Sequence, residues 1–173
     1  NFKGYIHLKI LPGASDAAVE EAMKISTAVS LNIEVPGRKH FEKLSSSKDY
    51  DRDIIRPLKL MSKLSEKGSP LHRVKCTTQF IVGASDENDS EIIKYMGALY
   101  SRLKFDRVYF SAYQAGLGDS MLPAESRNDF TLGVKHQSLT REHRLYQVDF
   151  LLRRYGFSES EINLSENGFL SLD

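Results

Sequence analysis

The sequence predicts an α/β protein, with about four parallel strands in a curved sheet and helices packed outside it. Three observations carry this. Stretches of period two alternate along the chain with helical stretches of period near 3.6. The helical stretches between strands are long enough to be the right-handed crossovers that parallel pairing requires. Each strand also keeps one apolar face and one polar or mixed face, where a strand buried between two helical layers would be apolar throughout. The polar faces are Tyr5/His7/Lys9, Ser30/Asn32/Glu34, Thr77/Gln79/Ile81 and Tyr109/Ser111/Tyr113. Helices outside and polar faces lining a lumen account for all three. A buried polar face is costly unless its groups are paired or bind something, so the lumen is a candidate ligand site. An antiparallel sheet with one wet face is the alternative, and the long helical crossovers argue against it.

Residues 3–11 alternate, with Ile6, Leu8 and Ile10 on one face, and Pro12-Gly13 stops them. Ser15 or Asp16 then caps a helix to about residue 28, with Ala18, Ala22 and Ile25 at helical spacing. Residues 29–35 alternate again, with Val29, Leu31, Ile33 and Val35 together, until Pro36-Gly37. A short helix near 39–45 and a second near 53–67 follow, Pro57 suiting the first turn of the latter. A strand over 74–82 stops at Gly83, and Ser85 or Asp86 caps a helix over 86–103. Its Ile92, Met96, Leu99 and Leu103 give the cleanest helical stripe in the chain. Residues 106–113 make a fourth strand. Residues 114–139 have no period and read as a lid-like loop. A helix over 140–155 faces Leu145, Val148, Leu152 and Tyr155 inward, and Gly156 ends it. Ser158-Glu-Ser-Glu161 is a capping box opening one short last helix.

The 173 residues suffice for one domain with a real core. Apolar content of 40% and charged content of 27% are those of a soluble globular protein, and a net charge of +1 selects no partner in bulk. The single cysteine, Cys76, excludes an intrachain disulfide framework. No apolar run is long enough to span a membrane and no signal peptide is visible, so a cytoplasmic location is expected. The chain enters a strand almost at Asn1 and ends on Gly168-Phe-Leu-Ser-Leu-Asp173. Both ends read as internal to a longer protein. No zinc-ligand spacing, Walker motif or G-x-S-x-G turn is present.

The stretch 74–87 runs from a strand through a small-residue turn into a helix, a place where α/β proteins hold ligands. Gln79-Phe-Ile-Val-Gly83-Ala-Ser-Asp86 resembles the G-x-I-x-G-x-x-E pattern that places adenine on the fifth strand of radical S-adenosylmethionine (SAM) enzymes. Ile81 and Gly83 match; Gln79 replaces the first glycine, and Asp86, or Glu87 one place on, supplies the acid. Longer stretches resemble the DNA modification/repair branch of that superfamily. They are Gly4-Tyr-Ile-His-Leu-Lys-Ile-Leu-Pro-Gly13, Leu31-Asn-Ile-Glu-Val-Pro36, Val108-Tyr-Phe-Ser-Ala-Tyr113 and Arg141-Glu-His-Arg-Leu-Tyr-Gln147.

The resemblance implies a partial (β/α)6 radical-SAM-type barrel. Residues 1–157 would be its C-terminal part, and 158–173 a short helix and the start of a linker to a missing segment. It implies a [4Fe–4S] cluster that cleaves SAM reductively to a 5′-deoxyadenosyl radical, for modification or repair of DNA or a nucleotide. The C-x-x-x-C-x-x-C motif that holds such a cluster is not in this chain. The chain alone is therefore expected to be inactive and to need the rest of the barrel for stability. The implied SAM contacts are Glu34, Gln79, Ile81, Gly83, Tyr113 and Lys9. Glu34 could equally pair with Lys9, and Tyr113 could be structural. His7 is a possible acid or base. Arg141, His143, Arg144 and Gln147 cluster at the expected start of a helix, where they could bind phosphate or substrate or form a solvated face. Two other readings stay open: a (β/α)-barrel enzyme holding a phosphorylated metabolite near Gly116–Gly118, and a non-catalytic α/β binding module.

Overall fold

The computed structural model describes residues 3–116, 119–126 and 132–171. Four parallel strands form one sheet in the order of the sequence: β1 His7–Lys9, β2 Ala28–Ser30, β3 Lys75–Val82 and β4 Arg107–Ala112. Between them lie α1, Asp16–Ile25; α2, Arg38–Phe41; a π-helical turn, Tyr50–Ile55, that runs into α3, Arg56–Leu64; and α4, Asp89–Ser101. After β4 come α5, Pro123–Ser126, the long α6, Leu132–Phe150, a π-helical turn over Leu151–Tyr155 and a 3-10 turn over Glu159–Glu161. The α/β architecture and the parallel pairing expected from the sequence are both present. No helix among the described residues is long and apolar enough to cross a membrane.

Strand phase follows the sequence. Val29, Leu31, Ile33, Val35, Cys76, Phe80, Val82, Val108 and Phe110 are buried together under the helices. Phe80 and Phe110 stack across β3 and β4 with ring centroids 6.1 Å apart, and Tyr146 of α6 meets Phe110 edge-on. The opposite face is open at its N-terminal half, where His7, Lys9, Lys75, Arg107 and Tyr109 are all exposed.

Helix phase departs from expectation in instructive ways. In α1 the buried residues are Val19 and Met23, while Ile25 is 64% exposed. Both stripes are apolar, and packing of α1 on α3 selects the one that turns inward. Helical structure before α3 begins at Tyr50, because the Asp49 carboxylate accepts from Arg52 N. The cap of α4 is Asn88, in a reciprocal capping box with Glu91, and not Ser85 or Asp86. Residues 132–139 of the expected lid are the first turns of α6. Arg141 therefore lies well inside a helix and not at its start. The π-helical turn at the end of α6 rotates Tyr155 off the inner face, leaving it 68% exposed.

The segment expected to start a linker is docked. Ser90 N donates to Gly168 O at 2.9 Å, Leu170 N donates to Asp89 Oδ2 at 3.0 Å, and the Arg141 guanidinium lies over Phe169. The tail thus closes over the N-terminal turn of α4.

The two sheet edges are finished differently. On β4 the outward N–H groups of Val108, Phe110 and Ala112 donate to Tyr100 Oη, Tyr146 Oη and Glu142 Oε2, at 2.9, 3.1 and 2.6 Å. Tyr146 Oη also donates back to Phe110 O at 2.9 Å. Side chains from α4 and α6 thus occupy the positions a fifth strand would take. On β1 the groups of Ile6 and Ile10 bond β2. The alternate groups, on His7 and Lys9, point away from the sheet.

Candidate functional site

Ligands of parallel α/β sheets sit beyond the carboxyl ends of the strands. Here that rim is shaped by a bulge. Ser30 pairs with Thr77, and the next bridge joins Glu34 to Phe80, so four steps on one chain face three on the other. Thr78 fills the gap: its hydroxyl accepts from Ile33 N at 3.0 Å and donates to Leu31 O at 2.7 Å. Pairing resumes through Glu34 N to Gln79 O and Ile81 N to Glu34 O, at 3.0 and 2.8 Å. The bulge places Glu34 at φ +66°, a left-handed backbone that a residue with a Cβ adopts at a cost of about 1–2 kcal/mol. The ladder bonds on both sides hold it there.

Among the described residues, Glu34 Oε2 is buried with no hydrogen-bond partner. Burial raises the Glu34 pKa above the usual carboxylate value; the Asn32 amide and the charges of Lys9 and Lys48 pull it down without cancelling the shift. Lys9, the expected partner, is not within 4.0 Å, so the simple ion pair does not form. Strain and an unsatisfied buried acceptor thus coincide at one residue.

Around it the structure brings together some of the expected residues. Ile81 is half-buried two places beyond Gln79 on the same face, and Gln79 sits in register with Tyr109. Gly83 ends β3 at φ +86°. A Cβ there would meet Ser138 Oγ at 3.5 Å and Arg141 Nη1 at 3.9 Å, so α6 closes on this turn. Tyr113 ends β4, donating to Glu125 Oε1 at 2.7 Å. The same carboxylate accepts from Gly116 N at 3.0 and 2.8 Å. Burial first, then the Glu125 hydrogen bond and charge, push the Tyr113 hydroxyl up to about 12. It therefore stays a neutral donor. Gly118, half of the expected phosphate turn, lies outside the described residues.

Behind Gly83 lies a saturated network. Glu87 accepts from Gly83 N at 2.5 Å and Ser85 N at 3.0 Å, and Arg141 Nη2 stands 3.9 Å from its Oε1. Arg141 Nε donates to Asp89 Oδ1 at 2.9 Å, and Nη2 donates to Glu87 O at 3.2 Å. Arg141 is thereby a tie between α6, the Gly83 turn and α4, with its donors committed inside the protein. His40, at 2% exposure, is pinned nearby: Nδ1 lies 3.1 Å from Ser85 Oγ and Asp86 Oδ1, and Nε2 lies 3.1 Å from Glu91 Oε1. The Lys43 ammonium holds the Asp86 carboxyl well below the usual range, through bonds of 2.6 and 2.8 Å. Asp86 thus serves His40 and Lys43.

The remaining expected residues do not join the rim. Arg144 Nη1 bonds Gln147 Oε1 at 3.0 Å, and both line a separate cleft of about 380 Å³ with Phe157, Ile162 and Leu170. His143 is exposed on the intervening side of α6. The expected cluster 141/143/144/147 is therefore split over the helix surface. Cys76 is buried in the core, and burial pushes its thiol up to about 11, which suits an inert core residue. Among the described residues no group of three or more His, Cys, Asp or Glu side chains could hold a metal ion.

Sequence reasoning did not single out His40, Asp89, Glu125 or Glu142. Each acts on a partner distant in sequence, so no local spacing marks it. Comparison with protein-family models, curated proteins and solved structures finds no match for this chain.

Proposed function

We propose that the C-terminal rim of the sheet binds S-adenosylmethionine, and that the chain is the later part of a partial (β/α)6 barrel of the radical SAM type, acting on DNA or a nucleotide. The observation that carries this is Glu34, whose buried Oε2 lacks a donor and whose backbone is held in a left-handed conformation. SAM brings an ammonium and two ribose hydroxyls, the donors such an acceptor needs. Gln79, Ile81 and Gly83 offer backbone edges and an apolar contact for adenine, and Tyr113 offers an aromatic ring at the mouth, its hydroxyl donating to Glu125. The sealed edge of β4 suits the last strand of an open barrel. The part of the polar face toward the carboxyl ends of the strands, where Gln79, Ile81 and Ser111 are half-buried, suits the wall of a lumen.

An iron–sulfur cluster does not fit the residues of this chain: its one cysteine is buried in the core with a raised pKa. In the intact enzyme, SAM would supply radical chemistry only at a cluster held by other residues. The part of this chain is to bind and orient. Glu34 accepts from the ammonium or ribose, and Ile81 excludes water from the adenine.

Equilibrium dialysis of the protein with labelled SAM, beside Glu34→Gln, tests the reading. Saturable binding that Glu34→Gln weakens is expected. A folded protein with no affinity for SAM, or with affinity indifferent to Glu34, overturns it. Anaerobic reconstitution of the full-length protein with iron and sulfide, followed by assay for 5′-deoxyadenosine, tests the enzymatic half separately.

A further inference from the structure

The polar face has a second end. Strand register sets His7 beside Ala28 and Lys75, and Lys9 beside Ser30, Thr77 and Arg107. Period two then puts His7, Lys9, Lys75, Arg107 and Tyr109 on one surface. All five are exposed. None of the four basic side chains has a carboxylate within 4.0 Å among the described residues, although the chain carries almost equal numbers of both charges. Lys9 and Arg107 span three strand spacings, about 14 Å. The Arg107 guanidinium lies 4.9 Å from the centre of the Tyr109 ring, and the ring is 36% exposed. Tyr5, 64% exposed, meets His7 edge-on at the margin.

We propose that this open half of the sheet binds single-stranded nucleic acid, with phosphates on Lys9, Lys75 and Arg107 and a base stacked on the Arg107–Tyr109 pair. An exposed sheet face bearing an aromatic ring among cations is a stacking platform, and every base offers a face to it. A duplex fits less well, because its bases are stacked on one another and closed to Tyr109. The surface lies about four residues, roughly 13 Å, below Glu34 along the strands. A polymer held here would therefore run beneath the rim and not through it. The inference rests on the proposed function only for the class of polymer; the geometry of the surface is independent of SAM.

The test is fluorescence anisotropy of the full chain with labelled oligo(dT) and oligo(rU) over about 50–200 mM salt. Binding to either or both is expected, with the salt slope reduced by about 0.7 in each of Lys75→Gln and Arg107→Gln. Tyr109→Ala should weaken binding about tenfold and leave the slope in place. Lys67→Gln, an exposed cation on the turn after α3, should change neither. Circular dichroism confirms that each variant is folded. The inference is overturned if neither oligonucleotide binds, if polyglutamate binds as tightly, or if Tyr109→Ala binds like the parent. SAM dialysis on the same samples separates the two readings: oligonucleotide binding lost with SAM binding kept removes only this surface, and the reverse removes only the rim.

Discussion

Two carboxylates follow neighbouring strands of one sheet, Glu34 half-buried and Glu87 buried, and they are treated in opposite ways. Glu87, after β3, is saturated: two backbone N–H groups and the Arg141 guanidinium answer its oxygens. Glu34, after β2, has a buried oxygen that nothing answers, on a backbone no helix or turn requires to be left-handed. Burial alone does not mark a functional acid. A saturated acid spends its acceptors on holding the turn, and an unsatisfied one keeps an acceptor for a ligand. The same contrast separates Arg141, committed to Asp89 and Glu87, from Arg107, which lies over the Tyr109 ring and has no carboxylate within 4.0 Å among the described residues.

Four experiments sharpen or break this contrast, beginning with the largest effect. Glu87→Ala leaves Arg141 short of a partner and two buried N–H groups unanswered, and should cost about 3–5 kcal/mol in urea unfolding. A loss under about 1 kcal/mol would mean that the network is ornamental. For Glu34→Gln the expected loss is in SAM affinity, about 10- to 100-fold by dialysis, the worth of a hydrogen bond to a charged group. Glu87→Gln should change that affinity far less wherever it remains folded.

The third experiment is a pH series on stability. The Glu34 pKa is raised in the folded chain, so the folded state is favoured while Glu34 is protonated, and that advantage fades as pH rises through the raised value. Glu34→Gln should therefore melt above the parent at neutral pH. Well below about pH 4, where the carboxyl is protonated in both states, the gain should vanish. An unchanged difference across the range would show that ionisation of Glu34 is not its source. The smallest effect is in the backbone. Glu34→Gly should relieve about 1 kcal/mol of left-handed strain. Gly83→Ala should impose a similar amount, since its φ is +86° with α6 close by. Calorimetric melts of the two should move in opposite directions.

The strands were legible in the sequence because period-two alternation is a local signal and burial of one face is its direct consequence. The rim was legible in part. Glu34 is read from its place at the end of an alternating run, and Gly83 from the turn it ends. The helix around Arg141 was misjudged, because Gly133 and a weakly apolar stretch hid the first turns of α6. With the helix start misplaced, Arg141 looked like a terminal cation awaiting an anion. It is instead an interior residue facing Asp89, fifty-two positions away. His40 escaped notice for a similar reason, as its partners Ser85, Asp86 and Glu91 are all more than forty residues distant.

The sequence by itself determined the α/β alternation, the polar and apolar faces of each strand, the turns at Gly13, Gly37 and Gly83, and the presence of a single, non-clustered cysteine. These depend on neighbours within a few residues, so period and composition suffice. Only the tertiary structure decided which polar groups are answered. It paired Glu87 and Asp89 with Arg141, enclosed His40, sealed the outer edge of β4 with tyrosines, and, among the described residues, left Glu34 Oε2 without a hydrogen bond and the cations around Tyr109 without a carboxylate within 4.0 Å. Satisfaction of a buried or charged group depends on what the fold brings against it from far along the chain, and no local pattern encodes that.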